Sequence, residues 1–378
     1  MSKTVISAIS TCDVELRTIN LFVLNKLYLL DEAPAPSVTA IAERLIGLHA
    51  KRPQTPYLSV YARNPDFAPS ALNTALYTDR SLLRAHCMRG TVHALPSSQY
   101  RTVRTATAGQ LDGMYRRAFD DLASKQAIEK SVLKAIRQRG PLSHAEIAEA
   151  LDVQAEEREL YLVINELCTR EILVKATVNG SWRTSVYNYE LLDRWQPAIP
   201  AGETDQLKAQ SRLLEWYLAS YGPSTLADIA WWAGMSQTQV KRAIEAIERP
   251  ITCVRFAALD ADALIFGDDF AKLQNCKSPE RAQVKLLPGF DPYVMAYADR
   301  GRFISSEYYG KVFRKVSGII EPVIVVDGWV VGTWKYSLIR GELSYELFEP
   351  MKDAEVNKAL NEATKRMANF LLRADAEG

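Results

Sequence analysis

The sequence lacks the features that would place it in several large classes of protein. Its five cysteines are widely separated and never spaced as C-x-x-C, which argues against a disulfide framework and against a zinc cluster. The most apolar stretch near the start, residues 19–30, is short and interrupted by Asn25 and Lys26. We therefore expect neither an export signal nor a membrane span, and we expect a cytoplasmic protein with no membrane partner.

Charge of one sign is not in excess either. Lys and Arg total 46 and Asp and Glu total 45, so the net charge of +1 gives no general electrostatic argument for an anionic partner. A local imbalance lies between Arg80 and Arg117, where seven arginines accompany a single acid, Asp112. Such a run is either an ordinary solvated face or a surface for phosphates, and the sequence leaves both interpretations open.

Sequence patterns for metal and nucleotide binding are also missing. The four histidines have no HxxxH or HxxE-type spacing and no nearby cysteine pair, so a metal site is not expected. No segment has the Gly-x-x-x-x-Gly-Lys pattern of a phosphate-binding loop. We therefore predict a protein that uses no cofactor and no metal.

The segment Gly47–Pro53, "GLHAKRP", carries the most suggestive pair of side chains. Apolar residues at helical spacing predict a helix over 38–46, with Ser37 as its N-cap and Gly47 as its C-terminal stop. Beyond that stop an extended chain places residues i and i+2 on one side, so His49 and Lys51 would project together. They could act as a base and a donor. Alternatively, His49 caps the end of the helix and Lys51 is solvated.

Helices followed by a strand hairpin recur three times along the chain. The first hairpin is predicted over 80–96, the second around a type I′ turn at Asn179–Gly180, and the third begins with a strand at 251–256. Capping boxes are predicted at Ser143–Glu146 and Thr225–Asp228. This order is typical of the winged helix-turn-helix, which commonly binds DNA, although such units also serve as protein-interaction modules.

The character of the sequence changes after the third hairpin. Val, Ile, Tyr and Trp become frequent, and the residues from about 353 have a helical pattern. The predicted fold class is therefore α+β, with three tandem winged helix-turn-helix units plus a β-rich C-terminal module that ends in a helix. The predicted boundaries are 1–125 for the first unit with its catalytic loop, 126–196 for the second, 205–270 for the third and 280–378 for the C-terminal module.

Five separated segments resemble the winged-helix DNA glycosylases of the AlkZ and YcaQ type, which remove alkylated purines and unhook interstrand crosslinks. The resemblance extends over nearly the whole chain. It implies that the partner is double-stranded DNA with a damaged base and that the protein is a monomer. In order, the segments are "GLHAKRPQTPYLSVYAR", "LLRAHCMRGTVHALP", "YGPSTLADIAWWAG", "LLPGFDPYVMAYADR" and "EPVIVVDGWVVGTW".

The resemblance also implies which residues are catalytic. The family carries a Gln-x-Gln or Gln-x-Asp motif after the second helix, with histidine first in some branches, and His49 and Lys51 occupy the two places here. Lysine departs from the pattern because an ammonium group only donates hydrogen bonds. His49 would then orient the water while Lys51 holds a phosphate. Alternatively, deprotonated Lys51 attacks the sugar as a Schiff-base nucleophile, or the protein is a non-catalytic DNA-binding, damage-recognition or regulatory protein.

Further residues are expected around the lesion and its phosphates. Tyr57 could stack there, although a tyrosine between prolines and aliphatic residues is more often part of a core. Arg63 and His93 could equally make structural hydrogen bonds or, for Arg63, be a surface charge. The candidates for DNA contact are Arg52, Tyr57, Arg63, Arg84, Arg89 and His93.

Overall fold

The computed structural model describes residues 7–31, 36–111, 125–184, 186–314 and 318–377. Its mixture of helices and strands confirms the α+β class. The number of winged-helix units and the boundaries between them stay predictions. Among the described residues, no helix is both long enough and apolar enough to cross a membrane.

The N-terminal part places a three-stranded sheet next to a capped helix. The Ser37 side chain accepts a hydrogen bond from the Ala40 N–H, and Ile46 ends the helix in the left-handed conformation, which confirms the predicted helix start and end. Gly47 has a φ of +92°, and a Cβ there would lie 2.7 Å from Leu95 Cδ2. The elements are β1 (Ser7–Cys12), α1 (Leu16–Lys26), α2 (Val38–Leu45), β2 (Leu48–His49), α3 (Thr55–Tyr61), α4 (Pro69–Asn73), β3 (Leu82–His86), β4 (Val92–Pro96) and α5 (Ser97–Leu111).

The second part forms a helical unit with its own hydrophobic core and the strand order β5-β7-β6. The capping box at Ser143 and Glu146 is confirmed. The two-residue turn predicted at Asn179–Gly180 is wrong, because β6 ends at Val178 and β7 begins only at Tyr187, which makes a longer loop. The elements are α6 (Lys125–Arg139), β5 (Leu142–Ser143), α7 (His144–Ala150), α8 (Glu157–Thr169), β6 (Leu173–Val178), β7 (Tyr187–Leu191) and α9 (Leu192–Trp195).

The third part repeats the order of helices and hairpin and takes in a strand from the start of the chain. Thr225 and Asp228 form the predicted capping box, and Gly234 ends the helix with a φ of 67°. Strand β1 pairs in parallel with β8, which the sequence did not predict, and β8 pairs antiparallel with β9. The elements are α10 (Gln206–Tyr221), α11 (Leu226–Ala233), α12 (Gln237–Ile244), β8 (Ile251–Phe256), β9 (Ala261–Phe266) and α13 (Gly267–Gln274).

The C-terminal module has an antiparallel sheet with the strand order β10-β13-β14-β15, a small β11-β12 hairpin and a terminal helix. The predicted β-rich character and the terminal helix are confirmed. The elements are β10 (Val284–Leu287), α14 (Tyr309–Val312), β11 (Phe313–Arg314), β12 (Ile319–Ile320), β13 (Val323–Val326), β14 (Trp329–Ser337), β15 (Glu342–Leu347) and α15 (Ala354–Glu377).

One continuous hydrophobic cluster joins the first part, the third part, the C-terminal module and one side of the second part, and includes residues from Leu21 to Ala374. Polar contacts cross the same boundary. The Thr55 hydroxyl donates to the Gly289 carbonyl at 3.1 Å, and Arg63 pairs with Asp291 at 2.8 Å. Within "GLHAKRP" itself, His49 stacks on Phe290, so the loop of residues 288–292 packs directly against this segment.

Candidate active site

His49 lies on the short strand β2, opposite His93 of β4. The imidazole stacks on the Phe290 ring at a centroid distance of 4.9 Å and an interplanar angle of 9°. The edge of the His93 ring completes the enclosure at 5.1 Å. As a result, only 4% of the His49 surface is exposed.

The surroundings of His49 keep its imidazole neutral at pH 7. Burial lowers its pKa well below the ordinary value of 6.5, and the electrostatic interactions of the imidazolium with His93, Arg89 and Lys51 lower the pKa further. Neither ring nitrogen has a hydrogen-bond partner among the residues that the structure describes, so His49 does not cap the preceding helix. Nδ1 is also sealed from solvent, which leaves Nε2 as the nitrogen to which water could hydrogen bond.

Lys51 follows two residues later on the rim of the same cavity. Its side chain is exposed, and its Nζ lies 5.9 Å from the centroid of the Phe290 ring. The structure therefore brings His49 and Lys51 together, as the i and i+2 spacing predicts, although one side chain is buried and the other is solvated. Arg52 is half-buried, with Cζ 5.6 Å from the same ring.

The cavity has a volume of about 260 Å³ and combines aromatic and cationic walls. Its described lining contains no aspartate or glutamate. The aromatic lining residues are Trp231, Phe290, Tyr309 and Phe313, and the cationic ones are Lys51, Arg89, Arg300 and Arg314. Such a surface can stack on planar groups and bind anions.

Three of the residues predicted to contact DNA are instead buried. Tyr57 is 1% exposed, its hydroxyl donates to Asn73 Oδ1 at 2.6 Å, and its ring packs edge-on against Trp182. It cannot stack on a base, so the predicted wedge role is wrong and the core interpretation holds. A hydrogen-bonded hydroxyl satisfies the single polar group of a buried tyrosine.

The predicted roles of Arg63 and Arg84 in DNA contact are also wrong. The Arg63 guanidinium is fully buried and donates to both carboxylate oxygens of Asp291, at 2.8 and 2.9 Å. Arg84 is 6% exposed, donates to the Tyr77 hydroxyl at 2.6 Å and lies 5.1 Å from the Tyr187 ring. Protein groups satisfy the Arg63 guanidinium. The Arg84 Nε has no acceptor among the described residues, but the side chain is buried away from the surface that DNA could reach.

The structure leaves Arg89 and His93 beside the cavities around His49. Arg89 is half-buried at the turn between β3 and β4. His93 is half-buried, and burial lowers its pKa to about 4. Its Nδ1 lies 3.1 Å from the Cys87 Sγ, and it lines a water-sized cavity of about 30 Å³ together with His49. Roles in DNA binding for these residues and for Arg52 stay predictions.

The described arginines of the run that begins at Arg80 do not form a continuous surface for phosphates. Arg80 donates to the Trp195 carbonyl at 2.5 Å, and Arg104 donates to the carbonyls of His86 and Thr169. Arg101 is exposed, but it lies 3.7 Å from Glu171. Arg116 and Arg117 lie outside the described residues.

Several cavity residues did not emerge from the sequence. Phe290 has a φ of 66° in the segment "PGFDP". Arg300 is the central residue of a turn in which the Asp299 side chain accepts from the Gly301 N–H at 2.8 Å. Both belong to "LLPGFDPYVMAYADR", whose resemblance to the family was the available signal. Trp231 and Tyr309 also reach the cavity from distant parts of the chain.

The helix–hairpin architecture and a cavity that unites an unbonded neutral histidine with aromatic and cationic walls are those of an enzyme acting on nucleic acid. Residues 42–370 match the family model described as DNA glycosylase AlkZ-like. The chain belongs to this family and is a DNA glycosylase.

Individual relatives agree with this assignment. The interstrand DNA cross-link repair glycosylase of Streptomyces sahachiroi is 24% identical over 325 residues, which cover 81% of this chain and 84% of that protein. The solved structure of Streptomyces sahachiroi DNA glycosylase AlkZ superposes with a TM-score of 0.75 at 19% identity. That match covers 95% of this chain and 97% of the other, and it shows a common fold.

Proposed function

We propose that this protein hydrolyses the N-glycosidic bond of alkylated purines in duplex DNA, with His49 orienting the attacking water. The substrates would be N7 or N3 adducts, including bulky adducts or crosslinks. The observation that carries the proposal is the environment of His49, a neutral imidazole without a hydrogen-bond partner in the described structure, at the wall of a cavity. The name of the Streptomyces relative supports the extension to crosslinks.

The chemistry asks little of the protein beyond the placement of water. An N7- or N3-alkylated purine is already cationic and leaves readily once water reaches the anomeric carbon. A neutral imidazole nitrogen can accept a hydrogen bond from that water, whereas a protonated lysine cannot. Because the described cavity lining has no acid, it offers a cationic base no ion pair, and only the aromatic rings could attract it through stacking and cation–π contact. We infer that selectivity comes mainly from the lability of the bond.

Lys51 would hold a phosphate rather than react. Its side chain is exposed, whereas nucleophilic lysines typically lie in enclosed apolar pockets, so the structure gives no support to attack through a Schiff base. An exposed ammonium beside Arg52 is instead suited to the DNA backbone.

The direct test is single-turnover incubation with duplex DNA that carries one N7-methylguanine or one bulky N7 adduct. We expect release of the adducted base and an abasic strand that breaks only after alkali. A parallel reaction with undamaged duplex is the control. Retained DNA binding without release from any adduct would overturn the proposed activity.

The rate of base release should not follow the titration of an ordinary histidine. Since the pKa of His49 is lowered, the neutral acceptor persists below pH 6.5, and the rate should be flat from about pH 8 to about pH 6. Activity should decline only at lower pH, as the imidazole gains its proton. Single-turnover rates at constant ionic strength, corrected for spontaneous depurination, provide the measurement. A half-loss near pH 6.5 that disappears in His49→Ala would contradict the lowered pKa.

Replacement of Lys51 by alanine should affect binding more than chemistry. We expect base release to persist at saturating enzyme, and the salt dependence of DNA affinity to fall by about one phosphate contact. Lys277→Ala is the matched control, because Lys277 is also exposed and lines a different cavity. Borohydride should trap no covalent complex with the wild-type protein. A trapped complex that Lys51→Ala abolishes would establish the Schiff-base mechanism instead.

A further inference from the structure

Two arginines from distant parts of the chain meet at one indole ring in the cavity. Arg89, at the turn between β3 and β4, has its Cζ 3.9 Å from the centroid of Trp231. Arg300 has its Cζ 5.2 Å from the same ring and 4.0 Å from the centroid of Phe313. Aromatic faces hold both guanidinium groups, and stacking of this kind leaves their N–H edges available for hydrogen bonds.

Within the described ranges, these two arginines lack the acidic partners that other arginines of the fold have. Arg300 donates Nη1 to the Tyr309 hydroxyl at 2.6 Å, but its Nε is buried without an acceptor. The Arg89 side chain has no hydrogen bond or ion pair to any residue in the described ranges; only its backbone N–H is engaged, with Gln110 Oε1. By contrast, Arg314 lines the same cavity and pairs with Glu321 at 2.8 Å.

Two partly buried cations that pack on one indole ring are costly without an anion. Burial, together with the charge of Arg300, lowers the pKa of Arg89 to about 10, and burial also lowers the pKa of Arg300. Both remain protonated at neutral pH. An anion between them would relieve the repulsion and satisfy the free N–H groups.

We propose that Arg89 and Arg300 together clamp one phosphodiester of the damaged strand, with Trp231 as the platform that fixes both guanidinium groups. The proposal rests on the proposed function, because it takes the lesion to lie at His49. All three residues line the cavity with His49, so the phosphate would belong to the lesion nucleotide or to its direct neighbour. The N–H groups of two guanidinium ions can donate to the oxygens of one phosphate. A phosphate held in this way would fix the position of the sugar relative to the water bound at His49.

The test combines protein variants with DNA in which one phosphate at a time is replaced by an uncharged group, and it compares the losses of affinity as in a double-mutant cycle. Methylphosphonates are placed one at a time around a stable abasic-site analogue in duplex DNA, and affinities are measured for wild type and for the double variant Arg89→Met with Arg300→Met. At one position the methylphosphonate should weaken wild-type binding by roughly 10- to 100-fold, the loss of a charge-assisted hydrogen-bonded contact. The double variant should show a similar loss on unmodified DNA and no further loss at that position.

Two further sets of variants secure the comparison. Arg89→Lys and Arg300→Lys keep the positive charge but lose the planar set of N–H donors of the guanidinium group. Each should bind DNA more tightly than the double methionine variant and less tightly than wild type. Arg255→Met removes an exposed arginine that pairs with Asp260 and Asp262, and it should leave every methylphosphonate effect unchanged. If the losses of affinity from the double variant and from the methylphosphonate add at every phosphate position, the proposed clamp is overturned.

Free phosphate provides the second arm. At constant ionic strength, inorganic phosphate should compete with DNA for the wild-type protein and lose this effect in the double variant. Phosphate could instead compete with DNA although no methylphosphonate position loses its effect in the double variant. That result would mean that the site binds a free anion, and it would also overturn the proposal. The DNA in this binding experiment carries an abasic-site analogue and therefore has no base to release. Failure to release a base in the separate single-turnover assay would overturn the proposed activity, and it would not change the result of this binding cycle.

Discussion

Alanine at position 49 is expected to slow base release by at least about 100-fold, the low end of the contribution of a general base. In the proposed mechanism His49 provides the acceptor for the attacking water, and none of the described residues that line the cavity is a carboxylate that could replace it. DNA affinity should stay close to that of wild type, because only 4% of the His49 surface is exposed. Rates come from single-turnover base release, and affinities from binding to duplex with an abasic-site analogue.

Two variants separate loss of the acceptor from loss of the ring. His49→Gln restores a hydrogen-bond acceptor, since an amide has a carbonyl oxygen, and it should recover a large part of the rate. His144→Ala removes a histidine that begins α7 in the second part of the chain, and it should have no effect on base release. An unchanged rate in His49→Ala would remove His49 from the mechanism.

The largest expected loss of stability follows from Arg63→Met. Arg63 and Asp291 form a pair with both side chains fully buried, and Arg63 also donates to the carbonyls of Leu27 and Ser59. Removal of the guanidinium leaves the Asp291 carboxylate buried without a positively charged partner. Breaking one partner of a buried pair typically costs about 3–5 kcal/mol. Urea unfolding monitored by circular dichroism should therefore show a much lower midpoint than for wild type.

Arg212→Met is the matched control for this loss. Arg212 pairs with Glu215 at 2.7 Å on an exposed helical face, where such a pair is worth at most about 1 kcal/mol. Asp291→Asn tests the other side of the buried pair and should also destabilise the fold. Because Asp291 directly follows Phe290, both variants of the pair should also slow base release by loosening the ring beneath His49. Equal stability of Arg63→Met and Arg212→Met would contradict a structural role for the pair.

Local features of the fold were predictable because neighbouring residues determine them. Ser37 and Gly47 set the ends of α2 through side-chain capping and a positive φ, and both signals depend only on residues a few positions away. The capping boxes at Ser143 and Thr225 have the same local character. The placement of His49 and Lys51 on one cavity followed from the period of an extended chain.

The remainder of the site depends on contacts between distant segments. Phe290, Trp231 and Arg300 reach His49 only after the C-terminal module and the third part fold against the first, and no spacing in the sequence encodes that arrangement. The same limit explains the errors at Tyr57 and Arg63. Whether an arginine meets a phosphate or a buried carboxylate depends on Asp291, which lies 228 positions from Arg63.

In the proposed mechanism His49, and not Lys51, carries the chemistry. The most direct measurement compares base release and DNA affinity side by side for wild type, His49→Ala and Lys51→Ala, with one N7-alkylguanine duplex under single-turnover conditions. We predict that release is lost with His49 while affinity is kept, and that affinity falls with Lys51 while release persists at saturating enzyme. Loss of release in Lys51→Ala together with wild-type release in His49→Ala would contradict the account.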